Sequence, residues 1–253
     1  ADGMDLNDVL TVRRRVTSGD DWPSAWETIG ESYLALARQR LDDYGAVTAG
    51  EAFVRASLCF HVGQVVVNHM PDVKRDLQRR KEAAFRAAAP HLVPPAERVE
   101  ISYNGITLPG YLRLSLHGQG PFACGILVPG LDSTKEDFIT LSEMCARRGL
   151  ASFAFDGPGQ GEVHSRALLK EGYEDSVLTV FKAIADRPEI DEDRIGMLGR
   201  SLGGYYIPRA AALEPCVKAL AVFGGTFDLR DWDTMPKNII DGFLWATGLS
   251  LIH

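Results

Sequence analysis

Apolar positions recur at helical spacing through roughly the first ninety residues and at strand spacing after them. Leu6 to Val16 is expected to form a helix closed near Gly19. A second helix opens after Asp20-Asp21 and tolerates Pro23 in its first turn. Its stripe is Trp22, Trp26, Ile29, Tyr33 and Leu36, and it stops at Gly45. Thr48 and Glu51 have the spacing of a capping box for a third helix. There Phe53, Ala56, Phe60 and Val67 share a face until Pro71 ends it. A charged fourth helix, from about Pro71 to Ala89, runs into Pro90. His61 and His69 sit eight apart and read as packing or surface residues.

Pro94-Pro95 marks a boundary. Beyond it Val99, Ile101 and Tyr103 alternate, Asn104-Gly105 spells a tight hairpin turn, and Ile106 to Leu116 returns. Phe122 to Val128 is nearly continuously apolar, as in a strand buried on both faces. Elements then alternate: helix near 136–147, strand 150–155, helix near 173–185, strand 194–198, a helix after Ser201, and strand 217–223. In the helix near 173–185, Tyr173, Val177, Val180, Phe181 and Ile184 lie on one face. Such alternation implies an α/β domain with a parallel sheet covered by helices. The expected organisation is a helical module over 1–95 and a core over 96–253, with no internal repeat.

Composition narrows the partners. With 45% hydrophobic and 24% charged residues, the chain has ordinary globular composition. A net charge of −7 supplies no basic footprint for nucleic acid. No apolar run approaches the roughly 20 residues that span a bilayer, so no membrane partner is expected. The absence of a charged-then-apolar leader reads as a cytoplasmic location. Cys59, Cys124, Cys145 and Cys216 are widely spaced and read as reduced, buried thiols. There is no His-Glu-x-x-His, and neither a metal nor a cofactor is expected.

The chemistry centres on Gly199-Arg200-Ser201-Leu202-Gly203-Gly204, where an apolar run ends in Gly-x-Ser-x-Gly before a helix. A nucleophile elbow needs that order: the sharp turn strains Ser201 and lifts its hydroxyl clear of the sheet. The Leu202 N–H then sits at a helix N-terminus, where a developing oxyanion is stabilised. A glycine-rich turn with a capping serine has the same spelling, so context matters. Val128-Pro129-Gly130-Leu131-Asp132 follows a central strand, and Ser133 to Glu136 after it has the spacing of a helix start. Asp156-Gly157-Pro158-Gly159-Gln160-Gly161 closes the next strand. It lacks the spacing of a phosphate cradle, and Pro158 lacks an N–H, so it reads as a tight turn at the sheet's carboxyl edge.

Together these segments resemble the α/β-hydrolase superfamily over about residues 98–230. Adding the helical module, the Pro94-Pro95 join and Asn104 to Leu112, the chain is similar to the family of 2,6-dihydroxypseudooxynicotine hydrolase. That family includes fermentation-respiration switch proteins and fungal polyketide-shortening hydrolases. The resemblance implies a serine hydrolase with Ser201 as nucleophile and Leu131 and Leu202 as oxyanion-hole donors. The substrate implied is a small carbonyl compound, cleaved at an ester or a ketone-type carbon–carbon bond, with the helical module as a lid. An acyltransferase on the same site and a non-catalytic binding scaffold are the alternatives, and a homodimer is compatible with each.

The pattern departs from the superfamily after the serine, where an acid and a histidine should follow on late strands. The chain stops at His253, begins Ala-Asp-Gly, and shows no strand-like run after Phe223. It therefore reads as part of a longer polypeptide, with the core lacking its last strands. Asp228, after the last strand, is the candidate acid, while His253 has nothing behind it to hold its ring. Asp231 and Asp233 read as solvated turn carboxylates, and Ile239, Ile240, Phe243 and Leu244 suit a short amphipathic helix. Ser201 is expected to lack a histidine partner.

Overall fold

Two compact units divide the chain, Ala1–Pro95 and Ala96–His253. The computed structural model describes residues 3–42, 45–225, 228, 230 and 232–250.

In the first unit, α1 (Leu6–Arg15) is capped by Asp5, whose carboxylate accepts the Asn7 N–H at 2.8 Å. Asp8 in its first turn and Arg13, Arg14 and Arg15 in its last complement the helix dipole. Three longer helices follow: α2 (Trp22–Asp42), α3 (Ala46–Val65) and α4 (Pro71–Ala88). The stripes are buried in neighbouring clusters, Trp26 with Val12, Ile29 and Cys59 in one and Ala56 with Phe60 and Leu77 in another. Two expectations need correction. Thr48 and Glu51 lie inside α3, which starts at Ala46 after Gly45 with no side-chain cap. α3 ends at Val65, short of Pro71, which opens α4 as expected, because a proline lacks only an N–H that the first turn would leave unpaired anyway. His69 is exposed, its Nε2 3.1 Å from Asp20.

The second unit holds a six-stranded sheet in the order β1-β2-β4-β3-β5-β6. The strands are β1 (Ala96–Tyr103), β2 (Ile106–Arg113), β3 (Phe122–Val128), β4 (Ala151–Phe155), β5 (Ile190–Arg200) and β6 (Ala219–Phe223). The sheet is mixed: β4, β3, β5 and β6 run parallel, while β2 pairs antiparallel with both β1 and β4. The β1–β2 turn has Asn104 at φ 45° and Gly105 at φ 79°, the two left-handed residues a tight hairpin requires. β5 starts earlier than its apolar run because Asp191 to Arg194 is extended yet carries no alternating apolar face.

Helices α5 (Ile139–Ala146), α6 (Tyr173–Ala185), α7 (Gly203–Leu213) and α8 (Lys237–Thr247) complete the unit. α6 buries the face read from sequence, Tyr173, Val177, Val180, Phe181 and Ile184, toward a core with Ile126, Phe153, Phe155 and Ile195. All four cysteines are free. Cys59 and Cys124 are buried, and burial pushes their thiols up to about 12. The expectation of burial fails for Cys216, which is exposed after α7, and holds only partly for Cys145. No helix among the described residues is long and apolar enough to cross a membrane.

Candidate active site

Because β3, β4 and β5 are parallel, their carboxyl ends lie along one edge of the sheet. The segments after them, Pro129–Asp132, Asp156–Gly161 and Ser201–Leu202, therefore converge there. Ser201 leaves β5 at φ 53°, a left-handed conformation that a β-carbon disfavours. Its N–H donates to the Phe223 carbonyl at 2.8 Å, and its carbonyl accepts the Gly204 N–H at 2.8 Å. Ser201 is exposed, and Leu202 behind it is the N-cap residue of α7.

Close backbone contact fixes the neighbours. A β-carbon on Gly199 would lie 2.3 Å from the Gly203 carbonyl oxygen, and one on Gly203 would lie 2.1 Å from that of Val128. A β-carbon on Gly130 would lie 2.8 Å from Ser201 Cβ and 3.2 Å from its Oγ. The Gly130–Leu131 segment thus runs directly past the serine side chain. No acceptor among the described residues takes the N–H of Leu131 or Leu202. Leu131 and Leu202 thus keep their N–H groups uncommitted among the described residues, Leu202 next to Ser201 in sequence and Leu131 next to Gly130.

With that geometry in place, the comparisons identify the family. A family profile described as "Esterase FrsA-like" matches residues 7–236. The chain belongs to the FrsA-like esterase family. It is 35% identical over 232 residues to 2,6-dihydropseudooxynicotine hydrolase of Paenarthrobacter nicotinovorans, covering 92% of this chain and 62% of that protein. It is 32% identical to 20-hydroxy-prefusarin hydrolase FUS2 of Gibberella moniliformis, over 96% of this chain and 62% of the relative. The crystal structure of 2,6-dihydroxy-pseudo-oxynicotine hydrolase superimposes with a TM-score of 0.91 at 32% identity, covering 99% of this chain and 70% of that one. The chain thus spans about 62% of the length of these curated relatives and shares the α/β-hydrolase fold.

In this FrsA-like chain the acid and base read differently from the serine. Asp228 follows β6 and accepts the Arg230 N–H at 3.1 Å and Nε at 2.7 Å. Those bonds hold its carboxyl below the usual range. Asp233 is exposed, and Asp231 and His253 lie outside the described residues. No described histidine hydrogen-bonds Ser201. His164 is engaged elsewhere: its Nε2 is 2.8 Å from the Trp245 carbonyl, and its ring stacks on that indole at 4.5 Å. Helix α8, which matches the amphipathic reading, brings Gly242 against Leu131, where a β-carbon would lie 3.0 Å from Leu131 Cδ2.

Three features carry no signal in the sequence. Arg200, beside the serine, donates to Ser133 Oγ at 2.8 Å and Asp137 Oδ2 at 2.7 Å and lies over the Phe138 ring. Gln160 is buried and bonds the Pro129 and Gly130 carbonyls. The third is a buried charge cluster, in which Lys135 Nζ lies 2.6 Å from Glu136, 2.6 Å from Asp156 and 2.8 Å from Glu162. Arg98 clamps Glu162 with two bonds, at 2.8 and 2.9 Å.

The Ser133–Glu136 reading is corrected accordingly. The capping box pairs Thr134 with Asp137, one residue later, and opens a 3-10 turn over Lys135–Phe138. Lys135 and Glu136 turn inward instead. Burial alone would lower the Lys135 pKa, but Asp156, Glu136 and Glu162 hold it well above the usual value. Burial would raise Glu162, yet Arg98 and Lys135 draw it down to about 2. The three carboxylates offer oxygens within 4.8 Å of one another, as a cation site would, and the Lys135 ammonium supplies that cation. An open cavity of about 610 Å³ lies elsewhere, lined by Tyr103, Asn104, Arg166, Lys170 and Asp175, and neither Ser201 nor Leu131 faces it.

Proposed function

We propose that the protein is a serine hydrolase in which Ser201 attacks a substrate carbonyl and is transiently acylated. The observation that carries this reading is Ser201 at φ 53° between β5 and α7, with the Gly130–Leu131 backbone against its side chain. A strained, exposed serine at a strand-to-helix turn is the geometry of a nucleophile elbow. The Leu131 and Leu202 N–H groups, free of other acceptors among the described residues, would hold the oxyanion; one such donor is worth about 2.7–4 kcal/mol.

The proton of Ser201 passes to a histidine outside the described residues, and the same proton later reaches the leaving group. Collapse of the tetrahedral intermediate expels an alcohol from an ester, or an enol-type carbon from a ketone. Water then clears the acyl-serine. The esterase description of the family supports the first substrate class. The relative named for 2,6-dihydropseudooxynicotine, a carbon–carbon hydrolase, supports the second.

The test is active-site labelling of the full-length polypeptide with a fluorophosphonate, followed by peptide mass spectrometry. Modification at Ser201, absent in Ser201→Ala, is the expected result, with turnover of a p-nitrophenyl ester falling at least about 10³-fold in the variant. A label on another residue, or turnover that survives the substitution, overturns the proposal. Adding a small alcohol during turnover separates hydrolysis from acyl transfer, since an acyltransferase would yield the new ester as its main product.

A further inference from the structure

Gln160 is a buried side chain that grips the backbone beside the serine. Its Nε2 donates to the Gly130 carbonyl at 2.7 Å and to the Pro129 carbonyl at 3.2 Å. Its Oε1 accepts the Gly157 N–H at 3.0 Å and the Tyr173 hydroxyl at 2.5 Å. Two carbonyls on one side and an N–H on the other admit a single orientation of the amide, so every donor and acceptor is used. Tyr173 is itself buried and stacks at 4.0 Å on Tyr206 of α7, the helix that follows the serine.

The grip falls on a telling atom. The Gly130 carbonyl and the Leu131 N–H belong to one peptide group, which is trans and planar. Their bond vectors point in opposite directions, so whatever holds the oxygen also aims the hydrogen. A bond accepted by the carbonyl also polarises the amide and strengthens its N–H as a donor.

We infer that Gln160 is a positioning residue that locks the Gly130–Leu131 peptide plane and so aims the Leu131 N–H at the developing oxyanion. Tyr173 acts through it by holding its Oε1. This inference rests on the serine-hydrolase reading above. It assigns to the Asp156–Gly161 turn a part in transition-state stabilisation, beyond lining the edge of the sheet.

The experiment compares the full-length protein with Gln160→Met, which keeps the length of the side chain and removes its hydrogen bonds. Turnover is measured on a p-nitrophenyl ester and on the matching thionoester, together with Ser201 labelling and thermal midpoints. Sulfur accepts N–H bonds poorly, so the oxoester-to-thionoester rate ratio reports how well the donors are aimed. Q160M is expected to lose about 10–100-fold in kcat, with KM within about twofold, and to show a rate ratio reduced at least about fivefold. A smaller loss in the same ratio is expected for Tyr173→Phe, which also serves if Q160M does not fold. Wild-type kcat and rate ratio in a folded Q160M, or in Y173F where Q160M does not fold, would overturn the inference while Ser201 labelling left the hydrolase reading intact. Failure of the wild type to label at Ser201 would remove that reading and this inference with it.

Discussion

Gly130 and Ser201 constrain one another. A β-carbon at 130 would stand 2.8 Å from Ser201 Cβ and 2.9 Å from the Arg200 carbonyl, and the backbone atom cannot swing aside as a flexible side chain would. Gly130→Ala must displace the loop that carries Leu131. We expect kcat/KM to fall about 10²-fold, since misplacing a reacting geometry by about 1 Å costs that much. Steady-state kinetics would check it, and an unimpaired variant would show that the loop does not serve the serine. The strain at Ser201 can be read separately. Its φ of 53° penalises any β-carbon, so Ser201→Gly should be more stable than Ser201→Ala by about 1 kcal/mol in urea unfolding. Both lack the hydroxyl, so the difference isolates the backbone. Equal midpoints would mean that the turn stores no strain.

The segments after β3 and β4 are tied together through Lys135, whose ammonium is fully enclosed by Glu136, Asp156 and Glu162. Replacing it with methionine would leave three buried carboxylates facing one another. A loss of about 3–5 kcal/mol is expected for Lys135→Met, the usual cost of breaking a buried ion pair from one side. The same cluster sets an acid limit. Glu162 titrates at about 2 in the fold against an ordinary 4.5, so its stabilisation is complete above pH 4.5 and is lost as pH falls toward 2. Glu162→Gln should therefore flatten the decline of stability across that window, removing about 3 kcal/mol at neutral pH, as urea titrations at several pH values would show. A parallel decline in wild type and variant would contradict it. None of this was legible beforehand, because Arg98, Lys135, Asp156 and Glu162 are distant in sequence and Thr134 to Asp137 spells an ordinary helix start. The strands were legible where burial is continuous, as in Phe122–Val128, and only partly where an acidic stretch extends one, as in β5. The sharp turn at Ser201 was legible because it demands glycines at fixed spacing. Gln160 was not, since its partners are backbone groups that leave no mark in the residue types.

At the scale of the molecule, the sheet ends on an open strand. β6 pairs with β5 on one side, and no described strand pairs with its other edge. Every residue from Ala219 to Phe223 is exposed, with Phe223 at 71% and Val222 at 51%. Unpaired N–H and C=O groups beside exposed apolar side chains make a template for another strand. The charged residues that natural edges use against this are missing from β6 itself, which reads Ala-Leu-Ala-Val-Phe. The 253-residue polypeptide is therefore expected to self-associate as its concentration rises, in size-exclusion chromatography with light scattering. Phe223→Lys places a charge on the edge while the Phe223 carbonyl stays available to the Ser201 N–H at 2.8 Å. That variant should shift the population toward monomer without moving the far-ultraviolet circular dichroism. If the unmodified polypeptide stays monomeric at about 100 μM, the strand is protected and the edge argument fails. If both proteins associate equally, another surface is responsible.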